Sequence, residues 1–381
     1  MGFGPFPNPN PLSFREMGRR GDGGTRGRGD TEKEIGCGVL GFRSPSRSIV
    51  NCLIHFPSAP EALQAFKTIT IEIMSDPTSS PAKLLLEPGT LWKQIRDRSQ
   101  HGLRCGALQP IATEYEFVEE EGIRFLVRIL ANLDRKAKAK KEQNQKTAAS
   151  GKEFNPFLPY DEDLFVADIS DTHVGLLNKF NVVDHHLLIV TRAFEEQDTW
   201  LTRSDFVAMH ACLAQVEGLA FYNGGTLAGA SQRHKHLQLI PLPMMPDEPS
   251  IPIADAIAHA QFKGSVGKVP AFKFVHGIGK LDRAIASPEA AAEATLKCYR
   301  TLLEAVGLDV TQERPPQAYN FLATRDWMLV VPRTAECFES ISINSLGFAG
   351  ALLVRNREDL QRLKAIGPMG VLERVGLSPV S

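Results

Sequence analysis

The stretch from Asn223 to Gln238 reads Asn-Gly-Gly-Thr-Leu-Ala-Gly-Ala-Ser-Gln-Arg-His-Lys-His-Leu-Gln. It is a glycine-rich turn running into a strand that carries His234, His236 and Gln238. Side chains alternate across a strand, so these three share one face, with Lys235 and Leu237 on the other. Glycines let backbone N–H groups approach an anion closely. An imidazole beside such a cradle can attack phosphorus. Two histidines at i, i+2 also read as a half-buried polar pair or as two metal ligands. Gln238 weighs against the metal, because an amide is a poor third zinc ligand. The Gly/Ser-rich approach suits a phosphate better.

The chain has 381 residues, enough for two or three domains and a sizeable core. Its formal net charge of -1 argues against a general nucleic-acid binder. No apolar run approaches the roughly 20 residues that span a bilayer. The 6 cysteines are scattered without a CxxC pair, which reads as free thiols in a reducing compartment. Residues 1–49 are rich in Gly, Pro, Ser and Arg and are expected to build no core. Asp22, Asp30, Glu32 and Glu34 fit a transit peptide poorly. Met74 offers an alternative start, and the folded region is expected to begin near Leu84, with 1–83 an extension. The cytoplasm is the default location; the extension leaves an organelle such as a plastid open.

Residues 90–104 have helical spacing, and Thr113–Leu130 reads as a hairpin turning at Glu121-Gly122. The basic run at 135–141 reads as a linker. Strands are expected at 164–169, 174–180 and 185–191. Thr202–Phe221 has apolar residues every three to four positions, and Thr202 with Asp205 makes a capping-box start. A helix at 287–305 starts with Pro288 in its first turn. Ala318–Arg333 reads as a hairpin around Arg325-Asp326. A final helix spans 356–366, capped by Asn356. This order predicts an α+β fold, an antiparallel sheet with packed helices. The expected regions are 84–245 for the catalytic part and 246–381 for a C-terminal part completing the fold.

These pieces resemble the diadenosine tetraphosphate (Ap4A) phosphorylases, also called ATP adenylyltransferases, of the histidine-triad superfamily. The resemblance rests on Gly106-Ala-Leu-Gln-Pro-Ile, Leu176–Thr191, Leu219-Ala-Phe-Tyr-Asn-Gly-Gly, His234-Lys-His-Leu-Gln and Tyr319–Arg333. The H-x-H-x-Q core is shared with galactose-1-phosphate uridylyltransferases and GDP-galactose phosphorylases, so it specifies nucleotidyl transfer without naming the nucleotide. The flanking segments favour the diadenosine branch. Arg233 stands where the uridylyltransferase branch would look like proline. The family implies phosphorolysis of Ap4A by phosphate to ATP and ADP through a covalent adenylyl-histidine.

By this resemblance His236 is the nucleophile, and Asn223 touches ribose or phosphate. His234 would support the site by hydrogen bonding, and Gln238 would donate to the α-phosphate. Donors at Gly229, Ala230, Ser231 and Gln232 would hold developing charge. The polyphosphate needs cations, for which the candidates are Lys136, the Asn178-Lys179 pair, Arg325 and Arg333. Asn320 and Met328 would line the second nucleotide site. Each also has a plainer reading. Lys136 would be a linker lysine, Lys179 solvated, Asn320 and Arg325 turn residues, and Met328 core filling. Of His185-His186, one ring is expected to bond into the sheet and one to be exposed. His173, His210 and His276 read as structural or surface residues. No metal site and no covalent cofactor are expected; Mg²⁺ would ride on the polyphosphate, with no role for Asp161, Asp163 or Asp168. The rival functions are a nucleotide-sugar transferase, a non-catalytic nucleotide sensor and a metal-dependent hydrolase. Nothing in the sequence fixes an oligomeric state.

Overall fold

The computed structural model describes residues 83–130, 155–245, 248 and 250–379. The N-terminal extension and the basic run at 135–141 with Lys136 lie outside the described residues. Ten strands form one antiparallel sheet: β3 (Phe165–Asp168), β4 (His173–Leu177), β5 (Leu187–Thr191), β7 (His236–Pro241), β6 (Gly218–Gly224), β11 (Tyr319–Ala323), β12 (Trp327–Pro332), β10 (Gly277–Lys280), β9 (Val266–Lys268) and β8 (Gln261–Lys263), in that spatial order. A second sheet joins the hairpin β1 (Thr113–Glu120) and β2 (Ile123–Leu130) to β15 (Ala351–Val354), which runs parallel to β2. Strands from both sides of residue 245 share the large sheet, because β6 pairs with β11. The fold is the expected α+β arrangement.

The sheet separates two cores. On one face Leu237 and Leu239 pack with Phe206, Val207 and Met209 of α2 (Arg203–Leu213) and with Tyr299 and Leu302 of α4 (Pro288–Ala305). On the other face Leu219, Phe221 and Ile240 join Phe125 and Val127 of β2 and the C-terminal helices α6 (Arg357–Ile366) and α7 (Pro368–Val375). A smaller cluster of Phe157, Val174, Leu176, Leu188 and Val190 covers β4 and β5.

Local signals set several elements. The Thr202 hydroxyl accepts from the Asp205 N–H, and the Asp205 carboxylate accepts from the Thr202 N–H, so the capping box that starts α2 forms. The Asn356 side chain accepts from the Asp359 N–H and caps α6, and Pro288 sits in the first turn of α4. The hairpin turning at Glu121-Gly122 also forms.

Other expectations need correction. The helical spacing through Phe221 does not hold: α2 ends at Leu213, and 218–224 is strand β6. That strand is buried on both faces, so it lacks the alternation that identifies a strand. Gly218 permits its close approach to β7, where an added Cβ would lie 2.7 Å from the Ile240 carbonyl oxygen. The strand expected from His185 begins at Leu187, with His185 at φ 61° in a turn. The helix over 356–366 is not the last, since α7 follows Gly367, itself at φ 88°.

Candidate active site

Strand β7 lies between β5 and β6, with Val190 opposite His236 and Leu188 and Phe221 opposite Gln238. Lys235 and Leu237 face α2, as alternation requires. The Lys235 ammonium is buried on the Asp205 carboxylate at 2.8 Å, and it also donates to the Trp200 carbonyl. Asp205 additionally meets His173 at 3.1 Å. The Lys235 ammonium and the His173 hydrogen bond hold its carboxyl well below the usual range despite burial. The lysine between the two histidines therefore anchors the strand to the core.

The expected strand does not reach His234: β7 begins at His236, and His234 is held by an isolated bridge to Glu196. Both rings nevertheless share the opposite face, where Phe157 packs edge-on against them. His236 Nδ1 donates to the His234 carbonyl oxygen at 2.8 Å. That bond fixes the tautomer and leaves the lone pair on Nε2. Burial pushes the His236 pKa down to about 4, against the opposing effect of the bond to the His234 carbonyl. The ring is therefore neutral at pH 7 with an unprotonated Nε2. His234 is bound at both nitrogens. Nε2 donates to the Thr191 carbonyl oxygen at 2.8 Å, and Nδ1 accepts from the Asn155 amide at 3.0 Å. Binding a metal there would break one of these bonds, which disfavours the hydrolase reading. Among the described residues, one group of metal-ligating side chains converges: His101, Cys105 and Asp163, around the half-exposed His101–Asp163 pair and away from β7 in the sequence.

Gln197 ties the strand down. Its carbonyl oxygen accepts from the His236 N–H at 2.8 Å, and its amide donates to the Asn223 and His236 carbonyls. Neither Gln197 nor Asn155 and Phe157 carries a sequence signal, because each is a single residue in a loop.

The other expected residues fall into distinct settings. Gly229 has φ 89°, and an added Cβ would lie 2.9 Å from Asn344 Cα and from the Ile343 carbonyl oxygen, so only glycine fits. The Gly229 and Ala230 N–H groups are spent on Thr226 and Gly225 carbonyls within the turn. Ser231 is exposed and Gln232 half-buried beyond them. Asn223, Asn320 and Arg333 come together, but deep inside the fold. The Asn320 amide donates to Asn223 Oδ1 and the Ala228 carbonyl, and Asn320 Oδ1 accepts from Arg333 at 2.6 Å. Arg333 is 0% exposed and also donates to the carbonyls of Val375, Ala335 and Ile343. Their polar groups hold the fold beneath the glycine turn. Met328 is likewise buried in the core. Arg325 lines a shallow cleft with His210 and Arg283. It lies past the end of β11 opposite the one that pairs with Gly224, so the topology does not bring it to His236. Lys179 is half-exposed, 3.7 Å from Asp161.

Asn178 donates to His186, and His186 is buried on the same face as Leu188. His185 bonds Ser99 and stacks edge-on with Trp92. One ring thus enters the sheet, as expected, but the other is held against α1 (Leu91–Cys105) instead of standing free. His173, His210 and His276 all make hydrogen bonds inside the fold. The 4 cysteines among the described residues are free thiols. Among the described residues no helix is long and apolar enough to cross a membrane.

Residues 81–259 match the Ap4A phosphorylase N-terminal domain, and residues 269–378 match the ATP adenylyltransferase C-terminal domain. Diadenosine 5',5'''-P1,P4-tetraphosphate phosphorylase 2 of Saccharomyces cerevisiae is 32% identical over 55% of this chain and 71% of its own. Protein APA1 of the same yeast is 28% identical over 49% of this chain and 63% of its own. The crystal structure of the yeast Ap4A phosphorylase Apa2 aligns with a TM-score of 0.64 at 25% identity, covering 78% of this chain and 97% of that one. Its complex with Ap4A gives the same TM-score at 24% identity. With both domain models matched and a 32% identical yeast relative covered over 71% of its length, the chain belongs to the Ap4A phosphorylase family.

Proposed function

We propose that the chain is an ATP adenylyltransferase that cleaves Ap4A with phosphate, giving ATP and ADP, through an adenylyl group carried on His236. The observation that carries the reading is the neutral His236 ring, its Nδ1–H held by the His234 carbonyl and its Nε2 lone pair free. In the first step Nε2 attacks the α-phosphorus. A P–N bond forms, the bond to the bridging oxygen breaks, and ATP leaves with the bond electrons. In the second step a phosphate oxygen attacks the same phosphorus, the P–N bond breaks, and ADP leaves with Nε2 neutral again. The half-buried Gln238 amide, two residues along the same face, donates to the α-phosphate as charge builds. The yeast relative named as a phosphorylase of this dinucleotide and the Apa2–Ap4A complex support the choice of substrate. The carboxylates beside the strand, Glu195, Glu196 and Asp205, are paired with Lys235, Arg233 and His173, so Mg²⁺ would travel on the polyphosphate.

Incubation with Ap4A in the absence of phosphate should leave one acid-labile AMP adduct per chain, mapped by mass spectrometry to the peptide containing His236. The variant His236→Ala should show no adduct and lose at least about a thousandfold in phosphorolysis, as removal of a nucleophile does. Retention of most of the rate in that variant would overturn the mechanism.

A further inference from the structure

The sheet brings one more buried imidazole to the site. His186 lies on the face shared by Leu188, and Leu188 is opposite Gln238, so His186 and Gln238 are diagonal neighbours across β5 and β7. Its ring is buried beside Phe221, the other cross-strand neighbour of Gln238. The proton on this ring can be placed. Asn178 Oδ1 accepts from the Phe180 N–H, which turns the Asn178 amide nitrogen toward His186 Nδ1 at 3.2 Å. A second backbone bond, from the Asn178 N–H to the His186 carbonyl oxygen, keeps the two residues in register. Nδ1 must therefore accept, and a neutral imidazole that accepts at Nδ1 carries its hydrogen on Nε2. That Nε2 is buried and completes no hydrogen bond. A buried donor left without an acceptor costs about 1–3 kcal/mol, so a partner is expected. Besides Asn178 on Nδ1, Gln238 is the hydrogen-bonding side chain that acts on this ring.

We propose that His186 is a positioning residue for Gln238: its Nε2–H donates to the Gln238 carbonyl oxygen and turns the amide NH₂ group toward the α-phosphate. The chain of bonds runs from the Phe180 N–H through Asn178 and His186 to Gln238. An amide presents a donor at one end and an acceptor at the other, and a half-turn about its last torsion exchanges them. A site that needs the donor outward must hold the acceptor inward, and His186 does this. Asn178 then acts through His186, with its own amide already committed. The inference rests on the reading of Gln238 as a phosphate donor.

The test is single-turnover adenylylation of His236, following adduct formation with Ap4A in wild type, Gln238→Ala, His186→Phe and the double variant. Phenylalanine keeps the ring against Phe221 and removes the donor. His186→Phe is expected to slow the maximal rate by about a hundredfold, the scale on which small misplacements act, with little change in the half-saturating Ap4A concentration. The double variant is expected to be no slower than Gln238→Ala alone. Multiplying losses, or a His186→Phe rate within twofold of wild type, would overturn the proposal. So would a Gln238→Ala variant that reacts like wild type. If His186→Phe does not fold, Asn178→Ala takes its place in the cycle, since the half-buried Asn178 sets the tautomer, and the same non-additivity is required. Absence of the adduct in wild type would instead sink the underlying mechanism, so the two failures are distinguishable.

Discussion

His234 and His236 carry the same side chain two residues apart, and their partners give them different chemistry. His234 uses both ring nitrogens to bind Thr191 and Asn155. His236 uses one, so its second nitrogen keeps a lone pair. Burial lowers its pKa from near 6.5 to about 4, so the neutral, reactive form persists far into acid. Above that value the ring is neutral, and below it protonation removes the Nε2 lone pair. Ap4A has no terminal phosphate, so its phosphate charge stays constant over this range, and its adenine rings take up protons only toward the acid limb. The second-order rate of adduct formation, which reports the free enzyme, should be level from neutral pH to about 5 and fall through an acid limb near 4. Stopped-time quenching and mass analysis across pH would measure it, and a limb near 6.5 would mean the ring is solvated. The sequence shows the pair and its shared face, because alternation along a strand is local. The unequal partners come from the loop at 155 and from the end of β5 at Thr191, which no spacing rule connects to residue 234.

At the scale of elements, the strand owes its place to the residue that points away from the chemistry. Lys235 is buried on Asp205, and Asp205 also caps α2 and holds His173. Replacing Lys235 with Met leaves the carboxylate with His173 and the Thr202 cap and removes the anchor under β7. Breaking one half of a buried pair costs about 3–5 kcal/mol. Lys235→Met should therefore lower the denaturation midpoint by that equivalent in urea. Any variant that still folds should form the His236 adduct more slowly, since the strand has lost its support. Full activity with unchanged stability would show that the pair is dispensable. The capping box was readable from Thr202 and Asp205, and the hairpin from Glu121-Gly122. The ion pair was not, because it joins a strand to a helix start 30 residues earlier in a contact that local spacing does not encode. Strand β6 was hidden for a related reason. Ala220 and Tyr222 face the helices while Leu219 and Phe221 face the other core, so the run is apolar throughout and continues the helical count by coincidence.

At the scale of the whole molecule, Arg333 decides between two uses of a cation. Its identity and its place in a motif-bearing hairpin suggested a phosphate ligand. The fold instead gives it a junction between β11, α5 (Ser345–Phe348) and the end of α7. It donates to Asn320, whose amide reaches Asn223 and the Ser345 hydroxyl, and to carbonyls at 335, 343 and 375. Burial lowers its pKa to about 10, which leaves it charged at neutral pH. Carbonyl dipoles satisfy the guanidinium, and the planar fork is what lets one side chain reach them all. Methionine in its place would leave Asn320 Oδ1 and several carbonyls unpaired in the core, at about 1–3 kcal/mol each before relaxation. Arg333→Met should thus lower thermal stability strongly, while the folded fraction keeps the wild-type KM for Ap4A. Lysine should rescue little, since an ammonium lacks the fork. A phosphate ligand would behave the other way, with KM rising at least tenfold and the melting temperature hardly moving. The same measurement separates polar residues that bind nucleotide from those that close the C-terminal segment over the glycine turn, a distinction of burial that sequence cannot supply.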